Sequence, residues 1–211
     1  MIKENDRILF IGDSITDVFR DRTDSEDLGD GFPKILANHL NEKYPEYNLT
    51  FLNRGISGDR VVDLKQRWSE DCLALQPDLV TILVGINDVG HIINDRLLPT
   101  ESELKQFDAN YRYLLESVQE QTDAKIVMME PFLLPYPEDR WTWRNQLDPR
   151  IQIVRRLAKE FEAMLIPLDA LLNAKGIVDS FEKYTGDDGV HPTAIGHQAI
   201  ADMWLEYVDP S

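Results

Sequence analysis

Apolar runs that alternate with segments of helical period are the feature that most restricts how this chain can fold. Five runs have strand character, and they cover residues 7–12, 49–53, 79–85, 125–129 and 164–167. Three of the five are almost continuously apolar rather than alternating, as a strand needs to be when helices cover both of its faces. Such runs predict the strands of a parallel sheet that is buried on both sides.

The segments between the strands have the spacing of amphipathic helices. Apolar stripes at helical period cover residues 61–75, 104–118 and 151–161, and further helices are expected at 31–44 and 193–207. Strands and helices that alternate in this way predict an α/β fold, specifically a three-layer α/β/α sandwich. A five-stranded parallel sheet favours the flavodoxin-like strand order 2-1-3-4-5 over a barrel, which needs eight strands.

The length and the charge of the chain restrict its partners. Its 211 residues contain no repeat, low-complexity tract or linker, and they are expected to form a single domain over 1–211. Asp and Glu number 38 against 22 Lys and Arg, which gives a net charge of −16. Nucleic acids and anionic membranes would repel such a chain, so neither is expected as a partner.

Signals for export or membrane insertion are not evident in the sequence. No run approaches the ~20 apolar residues that cross a bilayer. The polar N-terminal residues precede an apolar run, 8–11, that is too short for the core of a signal peptide. Cys72 is the only cysteine, so no internal disulfide can form. We expect a cytoplasmic protein, or one whose export signal has been removed.

Polar and glycine residues follow the predicted strands at the points where the strands end. Ser14 comes after the first strand, Gly55 after the second and Asn87 after the third. Asp188 and His191 lie just before the last predicted helix. Ligands of open α/β sheets bind beyond the carboxyl ends of the strands, where these residues are expected to meet.

Acyl transfer needs these residue types. A serine hydroxyl becomes an effective nucleophile when a histidine takes its proton. A carboxylate on the other ring nitrogen fixes the tautomer of the histidine and stabilises its protonated form. An asparagine side chain and a glycine amide are suitable donors to an oxyanion. Asp188 and His191 are three residues apart on a loop, which lets both side chains face the same way.

Four sequence blocks resemble those of the GDSL, or SGNH, hydrolase family. The blocks are Gly12-Asp13-Ser14, Asn53-Arg54-Gly55, Gly85-Ile86-Asn87-Asp88 and Asp188-Gly189-Val190-His191-Pro192. The resemblance implies a triad of Ser14 as nucleophile, His191 as base and Asp188 as the acid. It also implies an oxyanion hole made by the amides of Ser14 and Gly55 and the side chain of Asn87. No cofactor is implied, and no metal-binding sequence pattern is present.

Within that family the sequence is most similar to bacterial carbohydrate esterases of the acetylxylan esterase type. The likeness rests on residues 11–17, 53–58, 85–89 and 130–132. It implies a serine esterase that hydrolyses short acyl esters, acetyl above all, of sugars or xylo-oligosaccharides through an acyl-enzyme. A lysophospholipase or acyl thioesterase with the same triad is an alternative. A non-catalytic carbohydrate-binding protein is an alternative of another class.

Other residues near these blocks have competing interpretations. Ser14 taken alone would be typical of a helix N-cap. Asp187 is an alternative to its neighbour as the acid, and Ser57 is a second serine close to the same edge of the sheet. His91 is a candidate for contact with substrate, and His197 is expected at the surface or between helices.

Two loops, 17–30 and 132–148, are expected to shape specificity. The second contains Trp141 and Trp143. Tryptophan suits contact with a sugar and contact with another subunit equally well. Both interpretations of this loop stay open, and with them the question of a homo-oligomer.

Overall fold

A five-stranded parallel sheet forms the centre of the protein, in the order β2-β1-β3-β4-β5. The computed structural model describes residues 1–90 and 98–209. The strands are β1 (Arg7–Gly12), β2 (Thr50–Gly55), β3 (Leu79–Leu83), β4 (Lys125–Met129) and β5 (Met164–Ile166). Every pair of neighbours is parallel. The predicted α/β class and strand order are confirmed, and the single domain over 1–211 stays a prediction.

Helices connect the strands and cover both faces of the sheet. They are α1 (Ser14–Asp17), α2 (Phe32–Lys43), α3 (Val61–Asp71), α4 (Ile86–Gly90), α5 (Glu101–Gln121), α6 (Arg144–Glu160), α7 (Leu168–Val178), α8 (Glu182–Thr185) and α9 (Ala194–Val208). Short 3-10 helices cover Leu73–Leu75 and Glu138–Trp143. The five helices predicted from sequence correspond to α2, α3, α5, α6 and α9. The pattern missed α7 because its apolar residues lie on exposed as well as buried faces.

Successive residues of β1 point to opposite faces of the sheet and enter two different cores. Ile8 and Phe10 pack in a core with residues of α2, α7 and α9. Leu9 and Ile11 pack in a second core with residues of α3, α5 and α6. All four are fully buried, and each stabilises the fold by ~1.5–3 kcal/mol. A strand that has a core on either face needs consecutive apolar residues, and β1 has them from Ile8 to Ile11.

The neighbouring strands β1 and β3 end at glycine-bearing turns. Gly12 ends β1, and a Cβ at this position would lie only 2.1 Å from the carbonyl oxygen of Leu83. β3 ends at Leu83, earlier than the predicted residue 85, because Gly85 adopts a positive φ of 134°. The chain leaves these two strands in opposite directions, and such a reversal opens a crevice in which ligands of this kind of sheet bind.

Membrane-spanning helices are not found in the part of the chain that the structure describes. The 21-residue helix α5 is long enough to cross a bilayer, but seven Asp, Glu, Lys and Arg side chains make it too polar.

Candidate active site

Ser14 is the first residue of α1, close behind the end of β1. Asp13 caps this helix, since its Oδ1 accepts a hydrogen bond from the amide of Ile15 at 3.0 Å. Ile15 and Thr16 are buried, whereas Ser14 is only partly so. The capping role that Ser14 alone would suit is taken by Asp13, and the Ser14 hydroxyl is left for another partner.

That partner is the imidazole of His191, which comes from the loop before α9. Oγ of Ser14 lies 2.9 Å from Nε2 of His191, and Nδ1 lies 2.5 Å from Oδ2 of Asp188. The other carboxylate oxygen of Asp188 accepts hydrogen bonds from the amides of Val190 and His191, each at 2.8 Å. The ring contact is made by Asp188 and not by its neighbour Asp187. The structure therefore brings the three predicted triad residues together in one hydrogen-bonded chain.

The charges of the Asp188–His191 pair support each other. Burial disfavours the ionised form of Asp188, but the hydrogen bonds from the ring and from the two amides outweigh it and lower the pKa of this carboxyl. The hydrogen bond to Asp188 raises the pKa of His191 against the opposing effect of burial. The pair thus favours the imidazolium that forms when Ser14 loses its proton.

Asp13 places a second carboxyl close to the same imidazole. It is 1% exposed, and its Oδ2 has no hydrogen-bond partner among the described residues. Burial raises the pKa of Asp13 to about 7, although the amide of Ile15 and the charge of His191 work in the opposite direction. Asp13 therefore ionises near neutral pH, next to the nucleophile.

Asn87 lies at the start of α4, just beyond β3. Its Nδ2 donates a hydrogen bond to the carbonyl oxygen of Asp59 at 3.0 Å. This bond holds the side chain in place with one N–H, and a carboxamide nitrogen has two. Asn87 can therefore direct its second N–H to a ligand.

Gly55 has a structural task at the end of β2. A Cβ there would lie 2.4 Å from the amide nitrogen of Asp17, so only glycine allows this approach of the two segments. Its amide donates to Oδ1 of Asn53 at 2.8 Å, inside the protein. The oxyanion role of Gly55 stays a prediction, one that would require this hydrogen bond to break.

Gly58 is a glycine of the same loop that the motif comparison passed over. It has a positive φ of 89°, and nothing lies within 4 Å of the position that its Cβ would occupy. The preceding residue, Ser57, lines the cavity beside Ser14. Gly58 therefore offers backbone at an open surface, and the signal for it was its place at the end of residues 53–58, which carry the likeness to acetylxylan esterases.

A cavity of about 310 Å³ opens beside Ser14 and His191. The side chains that line it with them are Val18, Phe19, Ser57, Pro192 and His197. None of these described lining residues is a lysine or an arginine, so none of them gives the cavity a permanent positive charge.

His197 forms a buried wall of this cavity. It lies between α9 and the start of α2, where its Nδ1 accepts a hydrogen bond from the amide of Phe32 at 3.3 Å. Burial, helped by the charge of His191, lowers the pKa of His197 to about 4. Of the two positions expected for His197, at the surface or between helices, the structure shows the second. Its ring is neutral at the pH at which His191 titrates.

Ser57, the second serine, is bound to a carboxylate. Oδ2 of Asp17 accepts hydrogen bonds from the amide of Ser57 at 2.9 Å and from the Ser57 hydroxyl at 2.8 Å. Burial opposes the ionisation of Asp17, but hydrogen bonds from Arg22 and Ser57 outweigh it and lower the pKa. The hydroxyl proton of Ser57 is thus directed to Asp17, in a contact that joins loop 17–30 to the turn after β2.

The loop after β4 packs against the loop that carries the triad acid. Nε of Arg140 donates to the carbonyl oxygen of Asp188 at 2.9 Å, and the guanidinium lies 4.6 Å from the ring centre of Trp143. The amide of Leu134 donates to the carbonyl oxygen of Gly189 at 2.9 Å. A Cβ on Gly189 would lie 2.4 Å from the carbonyl oxygen of Leu134. Sequence reasoning identified this loop but missed Arg140, which contacts the backbone of the triad.

The remaining candidates lie away from the triad or outside the described residues. Trp141 is 58% exposed, and neither it nor Trp143 is among the side chains that line the cavity. Contact with a sugar and contact with another subunit both stay predictions for this loop. His91 lies outside the described residues.

Cys72 is buried, which raises the pKa of its thiol to about 12. Within residues 1–90 and 98–209 no group of three or more His, Cys, Asp or Glu side chains could hold a metal ion.

Comparisons with known proteins agree with this arrangement. A model of the GDSL-like lipase/acylhydrolase family matches residues 10–199. An acetylxylan esterase of Geobacillus stearothermophilus is 33% identical over 214 aligned positions, which cover 98% of this chain and 95% of that protein. A crystal structure of a candidate GDSL-like lipase from Parabacteroides merdae superimposes with a TM-score of 0.91 at 33% identity and covers 100% of this chain and 99% of its own.

Crystal structures of the Geobacillus acetylxylan esterase are also similar to this chain. One superimposes with a TM-score of 0.86 at 30% identity and covers 99% of this chain and 96% of that one. Three further structures of that esterase are described as catalytic mutants, in which a serine, an aspartate or a histidine is replaced by alanine.

Proposed function

Because the chain belongs to the GDSL-like lipase/acylhydrolase family and is a carboxylic ester hydrolase, we propose that it removes acetyl groups from sugars or xylo-oligosaccharides through an acyl-enzyme on Ser14. The observation that carries the proposal is the continuous hydrogen-bonded chain from Ser14 through His191 to Asp188. A nucleophile, a base and a group that orients the base are the three parts that serine acyl transfer requires. The catalytic mutants of the Geobacillus esterase change the same three residue types.

The first half of the reaction transfers the acyl group to Ser14. Oγ attacks the ester carbonyl carbon while Nε2 of His191 takes the hydroxyl proton, and a tetrahedral intermediate with a negatively charged oxygen forms. When the intermediate collapses, the bond to the alcohol oxygen breaks and Nε2 returns the proton to the leaving alcohol. Asp188 keeps the ring in the required tautomer throughout.

The second half repeats these steps with water as the nucleophile. Nε2 of His191 takes a proton from the water, whose oxygen attacks the acyl carbon on Ser14. Collapse of the second tetrahedral intermediate releases the carboxylic acid and returns the proton to Oγ. No redox step or cofactor is needed for this sequence.

The oxyanion needs hydrogen-bond donors that are free before the reaction. The amide of Ser14 and the second N–H of Asn87 are two such donors in this proposal. For the third we favour the amide of Gly58 over that of Gly55, because the Gly55 amide is already bound to Asn53 whereas Gly58 faces open space. Removing one donor of this kind costs ~3–4 kcal/mol of transition-state stabilisation.

The cavity favours a neutral substrate over the anionic alternatives. Lysophospholipids and acyl-CoA thioesters carry phosphates, which proteins bind with Arg, Lys or helix N-termini. The described lining residues include neither Arg nor Lys. Arg22 is nearby but forms an ion pair with Asp17 at 2.5 Å. An acetylated sugar, which has no charge, fits these walls better, and it is the kind of substrate named for the Geobacillus relative.

The test compares Ser14→Ala with Ser57→Ala on p-nitrophenyl acetate and acetylated xylobiose. Loss of the nucleophile should lower kcat by at least ~10³-fold. Loss of the hydrogen bond from Ser57 to Asp17 should lower it by about tenfold at most. A fluorophosphonate should label wild type and Ser57→Ala at Ser14 and leave Ser14→Ala unlabelled.

Three outcomes would contradict this proposal. Equal turnover by wild type and Ser14→Ala would eliminate the acyl-enzyme. A preference for p-nitrophenyl octanoate, lysophospholipid or acyl-CoA over acetate esters would favour the lipase and thioesterase alternatives. An intact protein that neither turns over an ester nor reacts with the fluorophosphonate would favour the non-catalytic carbohydrate-binding protein.

A further inference from the structure

Phe19 stands at the mouth of the catalytic cavity in an unusual backbone conformation. Its side chain is 91% exposed, and it lines the cavity together with Ser14 and His191. Phe19 has a positive φ of 60°, and Val18 before it has one of 30°. Two successive bulky residues in the left-handed region are rare, because Cβ comes too close to the following carbonyl oxygen.

Hydrogen bonds on both sides hold the backbone in this conformation. The amide of Val18 donates a hydrogen bond to the carbonyl oxygen of Ser14 at 3.2 Å. The carbonyl oxygen of Val18 accepts a hydrogen bond from the amide of Asp30 at 2.8 Å. The amide of Arg20 donates to the carbonyl oxygen of Asp17 at 3.1 Å. The backbone conformation at Phe19 is therefore fixed by its neighbours, and the exposed side chain lies beside the cavity.

Folding offers no reason for a phenyl ring at this position. A side chain that is 91% exposed adds almost nothing to either hydrophobic core. Glycine or asparagine would adopt the left-handed conformation more readily. An exposed aromatic ring on a fixed backbone next to a nucleophile instead has the features of a ligand contact.

We propose that Phe19 is a specificity-determining residue, on whose ring the sugar of the acetyl ester stacks. This inference rests on the proposed function and adds the surface that selects the leaving alcohol. In this proposal the carbonyl carbon lies at Oγ of Ser14, and the short acyl group points into the cavity. The alcohol extends outwards past the exposed ring of Phe19, where the apolar C–H face of a pyranose can cover the aromatic face.

The experiment measures kcat/KM for acetylated xylobiose and for ethyl acetate. The value for acetylated xylobiose divided by that for ethyl acetate is then compared between variants. Phe19→Asn keeps a residue that tolerates the left-handed conformation but removes the ring, and it should lower the ratio about tenfold, equivalent to ~1.4 kcal/mol. Phe19→Tyr keeps the ring and should keep the ratio within about twofold, well inside that difference. Ile177→Ala removes another exposed apolar side chain, on α7 and outside the cavity, and should not change the ratio.

The possible failures are distinguishable. Wild type that turns over neither ester would overturn the proposed function, and this inference with it. Wild type that is active on both esters, with the same ratio in Phe19→Asn, would overturn the role of Phe19 alone. A change in the preference between acetate and butyrate, with no change in the sugar ratio, would place the ring against the acyl group and also overturn it. A change in the sedimentation mass of Phe19→Asn, with equal losses of kcat/KM on both esters, would mark Phe19 as a subunit contact. That result would also overturn its role in sugar binding.

Discussion

Two carboxyl groups of different character act on the imidazole of His191. Asp188 is ionised and bonded to the ring, and it raises the pKa of His191. Asp13 is buried with a pKa of about 7, and its charge raises the pKa of His191 further. Only neutral His191 can take the proton of Ser14, so activity should rise with pH as the ring deprotonates. The midpoint of this rise should lie above the ordinary pKa of histidine.

Asp188→Asn tests this assignment at the level of one residue. The amide removes the interaction that raises the pKa of His191, so the acidic limb of kcat/KM should move to lower pH. Because the tautomer is no longer held, kcat should fall by ~10⁴-fold. A pH profile of p-nitrophenyl acetate hydrolysis measures both effects, with Asp187→Asn as the matched control. An unmoved limb in Asp188→Asn, or an equal loss in the control, would contradict the triad.

Loops from two distant parts of the chain meet at the triad acid. The 3-10 helix Glu138–Trp143 presents Arg140 to the backbone of Asp188, and Trp143 supports the guanidinium from one side. Gly189 allows the contact, because any side chain there would collide with the loop after β4. At the scale of elements, the position of Asp188 therefore depends on a segment almost fifty residues earlier in the chain.

Arg140→Ala should release this contact and loosen the triad. We expect kcat to fall about tenfold and KM for a small ester to change less, because Arg140 does not line the cavity. Arg140→Lys should recover part of the loss, since lysine keeps the charge but not the planar guanidinium. Arg156→Ala, which removes an exposed arginine on α6 that pairs with Asp108 and Glu160, is the control. Steady-state kinetics in which KM rises while kcat stays constant would show that Arg140 acts on substrate binding instead.

The whole molecule is stabilised by two cores, one on each face of the sheet. Trp68 of α3 is among the largest fully buried side chains, and it belongs to the core shared by α3, α5 and α6. That core supports the helices that follow β2 and β3, the strands that lead to Gly58 and Asn87. Stability on this face and the geometry of the oxyanion donors are thus connected.

Trp68→Ala should lower the free energy of unfolding by ~3–5 kcal/mol. The exposed residue Ile177, which is 76% accessible, serves as the control, and its change to alanine should alter that free energy by no more than ~0.5 kcal/mol. Urea denaturation followed by tryptophan fluorescence and circular dichroism measures the difference. A loss below about 1 kcal/mol for Trp68→Ala would show that this core tolerates the cavity and does not govern stability.

Much of the architecture was predictable because its signals are local. A continuous apolar run predicts a doubly covered strand wherever it occurs, and the alternation of such runs with helical stripes leads to the sheet order that the structure confirms. Residues at strand ends, such as Ser14 and Asn87, could be placed at one edge because parallel strands end on the same side. The acidic balance of the sequence is likewise independent of the fold, and it agrees with a cavity whose described lining residues include neither lysine nor arginine.

Only the tertiary structure could decide which atoms are engaged and which are free. The sequence leaves Asp187 beside Asp188 and Ser57 near Ser14 as alternatives, and its motifs point to Gly55 rather than to Gly58. In each pair the difference comes from a hydrogen bond or an open space: the ring of His191 meets Asp188, Asn53 occupies the Gly55 amide, and Asp17 binds the Ser57 hydroxyl. The exposure of Phe19 and the contact of Arg140 with Asp188 are likewise visible only in the tertiary structure. Such contacts join residues that are distant in the chain, so no local pattern encodes them.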